Sequence, residues 1–561
     1  MPIRISRARI SPAFAALLFL AACGPSAGVR PGAGAAPSDP DTLLAEADAA
    51  AARGDLPQAA AAYRRAAEGS SDEIVAEQAT RAAYDSFQLK EAALAADRWL
   101  ALNSTSEQAH RYAGMAALRL HRLDKAETEF AQTLETAYIS PAAGFLALLP
   151  VIGDEGIPTD VTELFRRLVA RHPKVAEGHY ALGNAALRSE NFALALSSAQ
   201  QATQLAPYWT PAKLLLARAT IASGKDDEGL AIAHDLVTAP DSDVATQLDY
   251  ALMLASTGHD EEARAMLTPY ASGKTVIPGA VRSLGAMDLD AGALDAAEKR
   301  FEDLLSTGTQ TYESLYFLGI VAERRKDAER ALRYYTRVVG GDYAMAAQQR
   351  VARIKSDQSG LDAGLAHLEE FGRSQPQSGP QVVAARAALA SAFKEEKRAL
   401  EILNDGIRTY PDLLDLRMSR VFLYERTGKA DAAIRDLREL LAERPGDAAV
   451  QNALGYTLAD HGRQLDEAQS LLAAALAQSP DSAAILDSMG WLLHRQGRHA
   501  EALTYLQRSQ SLGNDPEIDL HVGEAQWAMG DQAAARKTWQ AALERYPDNA
   551  QLQERLKRAG P

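Results

Sequence analysis

The stretch GEAQWAMGDQAAARKTWQAALERYP, residues Gly523 to Pro547, decides the fold of this chain. Its marker residues follow one another at spacings of 7, 5, 4, 3 and 5: Gly523, Gly530, Ala535, Trp539, Ala542 and Pro547. The preceding unit repeats the first four spacings with Gly490, Gly497, Ala502, Leu506 and Ser509. A pattern that recurs every ~34 residues predicts stacked helical hairpins, each of which buries its apolar face only against its neighbours.

The first small residue of this pattern can be followed back along the chain at intervals of 32 to 35 residues. The series is Gly523, Gly490, Gly455, Val421, Ala387, Ala352, Gly319, Gly285, Ala251, Ala217, Gly183, Leu149, Gly114, Ala82 and Ala47. It predicts about fifteen hairpins over residues 41–555, with degenerate repeats near Ala82, Leu149 and Ala352.

The spacing resembles that of tetratricopeptide repeats. Small residues at the eighth and twentieth positions allow two antiparallel helices to touch, a glycine forms the turn, and a proline ends the second helix. The expected fold is therefore an all-α tetratricopeptide-repeat solenoid. The resemblance further implies a right-handed superhelix with a concave inner face.

The N-terminal residues predict a signal peptide, 1–22, and a lipidated flexible linker, 23–40. Three arginines precede an apolar run that is far too short to span a bilayer as a helix. The residues Leu20-Ala21-Ala22-Cys23 resemble a bacterial lipobox, which implies cleavage before Cys23 and acylation of this single cysteine. Because Gly24 follows instead of aspartate, the resemblance favours the outer membrane, facing the periplasm. Regular structure is expected to begin near Asp41, a candidate N-cap.

Composition and motifs argue against several other functions. The net charge of −15 disfavours nucleic acid as a partner. No catalytic motif is recognised, and Ser391 and Lys394 match a penicillin-binding pattern only by chance across a predicted turn. His494 and His499 are five residues apart and are interpreted as solvated, so neither a metal site nor a cofactor is predicted. The apolar run 145–152 predicts either a distorted hairpin core or a loop that docks on a membrane or partner.

A partner-binding groove is predicted on the first helices of the last four hairpins. Positions two, five, nine and twelve of such helices share one face and line the concave wall of tetratricopeptide solenoids. The register gives the site residues Met418, Phe422, Asn452, Tyr456, Asp487, Trp491, His494, Glu524 and Trp527, together with Glu425 and Leu520. Aromatic and amide side chains with scattered acids suit contacts with proteins or peptides. For Tyr456 and Trp491, packing against the next hairpin is an equally open interpretation, whereas Trp539 is expected to be structural.

Two stretches, 452–460 and 485–491, with the hairpin that carries Gly523, Glu524 and Trp527, narrow the resemblance. They resemble proteobacterial outer-membrane tetratricopeptide lipoproteins that act as adaptors of a periplasmic carboxyl-terminal processing protease. The resemblance implies a non-catalytic scaffold that binds this protease and its peptidoglycan-hydrolase substrates. The alternative is an assembly lipoprotein for a secretion, pilus or exopolysaccharide export machine.

Overall fold

The computed structural model of the chain describes residues 39–153, 155–271, 276–513 and 515–560. These residues belong to one compact unit and contain 31 α-helices, one short 3-10 helix (Pro376–Ser378) and no strand. The predicted signal peptide and the lipidation site Cys23 lie outside the described residues.

The helices of the N-terminal half are α1 (Pro40–Ala52), α2 (Leu56–Gly69), α3 (Glu73–Asp85), α4 (Leu89–Leu102), α5 (Glu107–Arg119), α6 (Leu123–Thr136), α7 (Pro141–Gly153), α8 (Pro158–Arg171), α9 (Ala176–Arg188), α10 (Phe192–Leu205), α11 (Thr210–Ala222), α12 (Asp226–Val237), α13 (Val244–Ser256), α14 (Asp260–Ala271), α15 (Pro278–Asp290) and α16 (Leu294–Ser306). Those of the C-terminal half are α17 (Thr311–Arg324), α18 (Ala328–Tyr335), α19 (Ala344–Ser359), α20 (Leu361–Ser374), α21 (Gly379–Ala392), α22 (Glu396–Thr409), α23 (Leu414–Arg426), α24 (Ala430–Glu443), α25 (Ala448–Asp460), α26 (Leu465–Gln478), α27 (Ala483–Arg495), α28 (His499–Leu512), α29 (Pro516–Ala528), α30 (Gln532–Arg545) and α31 (Ala550–Ala559).

Consecutive helices pair into fifteen hairpins, of which the fourth is distorted because α7 packs on α9 more than on α8, and α31 packs on the last hairpin. We call the odd-numbered helix of each hairpin its A helix and the even-numbered helix its B helix. A turn joins A to B within a hairpin, and a loop joins B to the next A helix. The predicted all-α tetratricopeptide-repeat architecture is confirmed. Helix α1 begins at Pro40 after the N-cap residue Asp39, so that Asp41 lies in the first helical turn, and α31 extends to Ala559.

Close contact between the two helices of a hairpin explains the glycines of the repeat. A Cβ added to Gly114 would lie 2.8 Å from the ring of Phe130, and one on Gly285 would lie 2.6 Å from Phe301. Both phenylalanines are fully buried. The bulky residue of the B helix therefore fills the space that the glycine of the A helix leaves open.

In two of the degenerate repeats, the buried position differs from the predicted one. Ala82 and Leu149 are only partly buried, and the eighth residues of α3 and α7, Thr80 and Leu148, are fully buried in their place. The hydroxyl of Thr80 donates to the carbonyl of Ala76 at 2.7 Å, so a polar residue is accommodated there without an unpaired group.

The turns require a left-handed backbone, and glycine supplies it in most hairpins, as at Gly224 (φ 78°) and Gly497 (φ 79°). Phe87 and His121 adopt the same conformation with φ values of 60° and 59°. A side chain in this region of backbone space costs ~1–2 kcal/mol, which other contacts of these residues must offset.

The apolar run around α7 belongs to the hairpin core. Phe145, Leu148 and Ile152 are fully buried and pack in one cluster with residues of α8 and α9, whereas Leu146 is 43% exposed. Among the described helices, none is both long and apolar enough to cross a membrane.

Hairpins far apart in sequence also contact each other, which the repeat pattern did not predict. We name this contact the seam: residues 87–90, 119–121 and 191–192, at turns of the early hairpins, meet the loops 409–412, 444–447 and 478–481. Gln88 Nε2 donates to the carbonyl of Thr409 at 2.7 Å, and Arg444 Nη2 donates to the carbonyl of Arg119 at 2.7 Å. The expectation that each hairpin buries its surface only against its neighbours is therefore wrong.

Two carboxylates of the seam cap the N-termini of B helices in the early hairpins. Asp412 Oδ2 accepts from the backbone N–H of Lys90 at 3.1 Å, and Asp481 Oδ2 accepts from that of Phe192 at 3.1 Å. The ring of Phe87 packs edge-on against Tyr410, with centroids 6.0 Å apart. These contacts satisfy helix N–H groups that have no partner within their own helix.

Candidate functional site

The A helices α23, α25, α27 and α29 place the predicted groove residues at equivalent positions in four successive hairpins. Phe422 is the most open of them, with 61% of its surface exposed. Met418 is half-buried and packs against the core of these hairpins. The groove therefore begins with an apolar side chain that is free to contact a partner.

Tyr456 and Trp491 make contacts within the protein. The hydroxyl of Tyr456 donates to Glu517 Oε1 at 2.6 Å, which joins hairpins 13 and 15 across hairpin 14. Trp491 Nε1 donates to Asp460 Oδ1 at 3.0 Å, and its ring stacks on His521 with centroids 4.1 Å apart. Both side chains remain partly exposed, so packing and partner contact are compatible at these positions.

Asp487 is buried and does not offer its carboxylate to the groove. The buried His521 donates to it, with Nδ1 2.9 Å from Oδ2. Burial alone would lower the pKa of His521, but the charge and hydrogen bond of Asp487 outweigh it and raise the pKa above its usual value. The two residues form a buried ion pair that ties α27 to α29.

His494 is half-buried, which corrects its interpretation as a solvated residue. Its ring stacks on Trp491 with centroids 4.9 Å apart, and its Nδ1 lies 3.3 Å from that of His499. Burial, with a smaller effect of His499, lowers the pKa of His494 to about 4. Within the described ranges, no group of three or more His, Cys, Asp or Glu side chains could hold a metal ion.

Glu524 and Trp527 lie against the last helix. Glu524 Oε2 accepts from Arg555 Nη2 at 3.0 Å, and the Arg555 guanidinium lies 5.0 Å from the centre of the Trp527 ring. Trp539 is fully buried, as predicted, with its ring 5.9 Å from that of Trp527. Helix α31 therefore covers this end of the groove in part, and the side chains of Glu524 and Trp527 stay half-buried.

Two acceptor atoms on the groove helices α23 and α25 have no hydrogen-bond partner. They are Asn452 Oδ1 and Glu425 Oε1, both buried as atoms within half-buried residues. The other oxygen of Glu425 lies 3.0 Å from His461 Nε2. A rotation of either side chain would offer an acceptor to a donor on a bound chain.

Sequence reasoning missed the residues that join the groove helices, His521, Asp460 and Glu517. Asp487 and His521 are 34 residues apart, and Asp460 and Trp491 are 31 apart. Because residues about one repeat apart on A helices are neighbours, a search for complementary side chains at this separation would have found both pairs.

Comparisons with known proteins agree with this geometry. Models of the family described as tetratricopeptide repeat match residues 163–208, 288–347, 423–483, 462–517 and 519–549. A TPR repeat-containing protein of Pseudomonas aeruginosa is 28% identical over 207 residues, which cover 37% of this chain and 35% of that protein. Cellulose synthase 1 operon protein C of Komagataeibacter xylinus is 26% identical over 169 residues, covering 30% of this chain and 11% of that protein. The chain thus spans about a third of the first relative and about a tenth of the second.

Solved structures with similar helical arrays include yeast Tom70, at 14% identity and a TM-score of 0.38, covering 74% of this chain and 94% of Tom70. A tetratricopeptide-repeat protein of Thermus thermophilus matches at 20% identity and a TM-score of 0.30, over 32% of this chain and 98% of that one. Family matches in three parts of the chain and helical hairpins throughout the described residues support the same assignment. The chain therefore contains tetratricopeptide repeats, and its described residues have the fold of a tetratricopeptide-repeat solenoid.

Proposed function

We propose that this protein is a non-catalytic scaffold that binds other proteins through the groove of hairpins 12 to 15. The observation that carries the proposal is the row of Phe422, Tyr456 and Trp491, which occupy the same position on three successive A helices. Aromatic side chains held by a rigid surface supply large contact areas at low entropic cost, and they dominate many protein interfaces.

The finer part of the proposal concerns location and partners. Acylation of Cys23 would hold the scaffold at the periplasmic face of the outer membrane. Its partners would be a carboxyl-terminal processing protease and the peptidoglycan hydrolases that this protease degrades, in line with the resemblance of residues 452–460 and 485–491. Binding both on one tethered scaffold raises their effective concentration near each other without any new chemistry.

Phe422→Ala tests the groove, because Phe422 is the most exposed of the groove residues and its loss should disturb the packing least. We expect weaker capture of partners in crosslinked cells, with an unchanged melting temperature. The matched control is Met529→Ala, since Met529 is 51% exposed outside the groove. Equal capture by Phe422→Ala and the control would contradict the proposal that partners bind in the groove. Hydrolysis of peptidoglycan by the purified protein alone would contradict the non-catalytic assignment.

The double variant Tyr456→Ala/Trp491→Ala separates packing from binding. Both side chains hold neighbouring hairpins together, so we expect some loss of stability in addition to weaker capture. Tyr456→Phe is the milder companion, because it removes only the hydrogen bond to Glu517. Loss of capture in proportion to loss of stability would assign both residues to packing.

Labelling tests the anchor directly. Cells fed an alkyne-tagged fatty acid should label the wild-type protein, and Cys23→Ala should abolish the label. Labelled wild type in the outer-membrane fraction supports the proposed location, whereas unlabelled wild type contradicts it.

A second candidate is an assembly role in an exopolysaccharide export machine. The match to cellulose synthase 1 operon protein C favours it, although the match covers only 11% of that protein. Mass spectrometry of crosslinked partners distinguishes the two: a serine protease supports the adaptor, and an outer-membrane pore protein supports the export machine.

A further inference from the structure

One edge of the early hairpins carries exposed apolar residues at a recurring loop position. Ile139, two residues before α7, is 100% exposed, and Tyr208, two residues before α11, is 95% exposed. Val276 stands at the same position before α15 and is 39% exposed. Because the position is equivalent in each loop, the three side chains lie along one edge of the array.

The same position has a different character in the late hairpins. There it holds Asp412, Gly446 and Asp481, which face the early hairpins in the seam. The loops of the early and late hairpins also differ in their content of acidic residues. Of the early loops, the four at 103–106, 137–140, 172–175 and 206–209 contain no aspartate or glutamate and one lysine, Lys174, whereas the flanking loops 70–72 and 238–243 contain aspartates. Each of the late loops 410–413, 444–447, 479–482 and 546–549 contains an aspartate.

Four consecutive loops without a carboxylate stand out in a chain of net charge −15. An acidic loop would be repelled by an anionic surface, and an exposed isoleucine or tyrosine would gain by leaving water. Tyrosine in particular suits a boundary where one end of the side chain stays wet.

The position of this edge in the fold fits a membrane contact. Turns and loops lie at opposite ends of the helices, and the turns of hairpins 2, 3 and 5 are occupied by the seam. The loop edge of these hairpins therefore faces away from the late hairpins. As an A helix, α1 also begins at this edge, so the chain enters the fold there at Pro40.

We propose that this edge, with Ile139, Tyr208 and Lys174, rests on a phospholipid surface and orients the solenoid on the membrane. The location rests on the proposed acylation of Cys23, which lies sixteen residues before Asp39 and so within roughly 55 Å of it along the chain. Ile139 and Tyr208 enter the headgroup region, and Lys174 faces anionic lipid. The seam then holds the groove hairpins on the far side of the early ones, open to soluble partners.

Vesicle binding tests the edge apart from the acyl chain. The protein would be made from Gly24 onwards, which removes the signal peptide and Cys23 and keeps every described residue. It would be sedimented with vesicles of phosphatidylethanolamine and phosphatidylglycerol. Ile139→Ser/Tyr208→Ser should lower the partition coefficient roughly tenfold or more. The control Leu94→Ser/Met529→Ser removes two side chains that are 48% and 51% exposed elsewhere, and it should bind like the parent.

Absence of vesicle binding by the parent chain, or equal losses in both double variants, would overturn the proposal. A parent dimer that only Ile139→Ser/Tyr208→Ser converts to a monomer in analytical ultracentrifugation would also overturn it, because the edge would then be an interface between copies. The fatty-acid label reports on Cys23 independently, so the failure of the anchor and the failure of the edge are separate results.

Discussion

Hairpins 13 to 15 and hairpins 2 to 5 are built from the same repeat but are held in different ways. In the late group, glycines such as Gly490 admit a bulky partner from the same hairpin, and polar pairs connect A helices one or two repeats apart. In the early group, Gln88 and Asn191 contact residues 321 and 287 positions further along the chain. The comparison teaches that packing between neighbouring repeats is supplemented, in hairpins 2, 3 and 5, by contacts with loops of the late hairpins that lie about nine repeats further along the chain.

The largest expected loss of stability comes from disturbing the packing within one late hairpin. In Gly490→Ala, the added Cβ would lie 2.5 Å from Leu506 and 3.2 Å from the Ala502 carbonyl, so we expect a loss of ~2–3 kcal/mol. Gly279→Ala is the control, because its nearest neighbour would be 3.8 Å away and helix propensity favours alanine. Urea unfolding measures both, and equal stabilities would contradict the close-packing interpretation.

The repeat architecture could be predicted because each constraint is local. Gly490 and Leu506 meet within one hairpin, so the spacing between them records their contact directly. The small buried residue of hairpin 2 was predicted at Ala82, but Thr80 occupies that position. Its hydroxyl donates to a carbonyl of its own helix, so a polar residue replaces the small apolar one and the repeat pattern is lost there. The groove residues could be predicted from their position within each repeat. The ion pair of Asp487 and His521 joins two repeats, so its prediction would have required a comparison of residues about one repeat apart.

The seam could not be predicted from the repeat pattern. Its position depends on the accumulated twist of about nine hairpins, and small angular errors in each hairpin add up over that distance. Local signals do remain: Phe87 and His121 occupy left-handed turns where glycine is usual. At these two residues, unlike at the exposed Lys394, the exception accompanies a contact with a distant hairpin.

Removal of the cross-seam caps should give the next largest effect. Asp412→Ala/Asp481→Ala leaves the N–H groups of Lys90 and Phe192 without acceptors, at a cost of ~1 kcal/mol for each cap. Hydrogen exchange at these two amides should accelerate. The control Asp531→Ala removes a cap that serves Ala534 in its own hairpin, and it should leave Lys90 unaffected. Unchanged exchange at Lys90 and Phe192 in the double variant would contradict the seam.

The pH dependence of stability should have opposite signs for the buried His521 and the half-buried His367. Asp487 raises the pKa of His521, so its stabilising effect is present below the ordinary histidine pKa and is lost as pH rises through the raised value. Burial, with help from Lys355, lowers the pKa of His367 to about 4, so its effect is present above the ordinary value and is lost as pH falls towards 4.

His521→Gln should therefore remove stability mainly at acidic and neutral pH and flatten the loss at higher pH. His367→Gln should flatten the loss on the acid side, because glutamine does not titrate. Its amide can still donate to Gln348 Oε1, as His367 Nε2 does at 2.7 Å, so the overall loss of stability should be small. Urea unfolding of both variants across the pH range measures the difference. The same sign of change in both would contradict the assigned protonation states.

The smallest effect compares two turns whose non-glycine residues are left-handed. Lys394 is exposed with φ 63°, so Lys394→Gly should relieve backbone strain and stabilise the protein by ~0.5 kcal/mol after the entropic cost of glycine. Phe87 has nearly the same backbone, with φ 60°, but its ring packs on Tyr410 across the seam. Phe87→Gly should therefore destabilise the protein, since the lost aromatic contact exceeds the relieved strain. If thermal unfolding showed equal gains for both variants, the Phe87 ring would contribute nothing to the seam, and the conformation of that turn would need another cause.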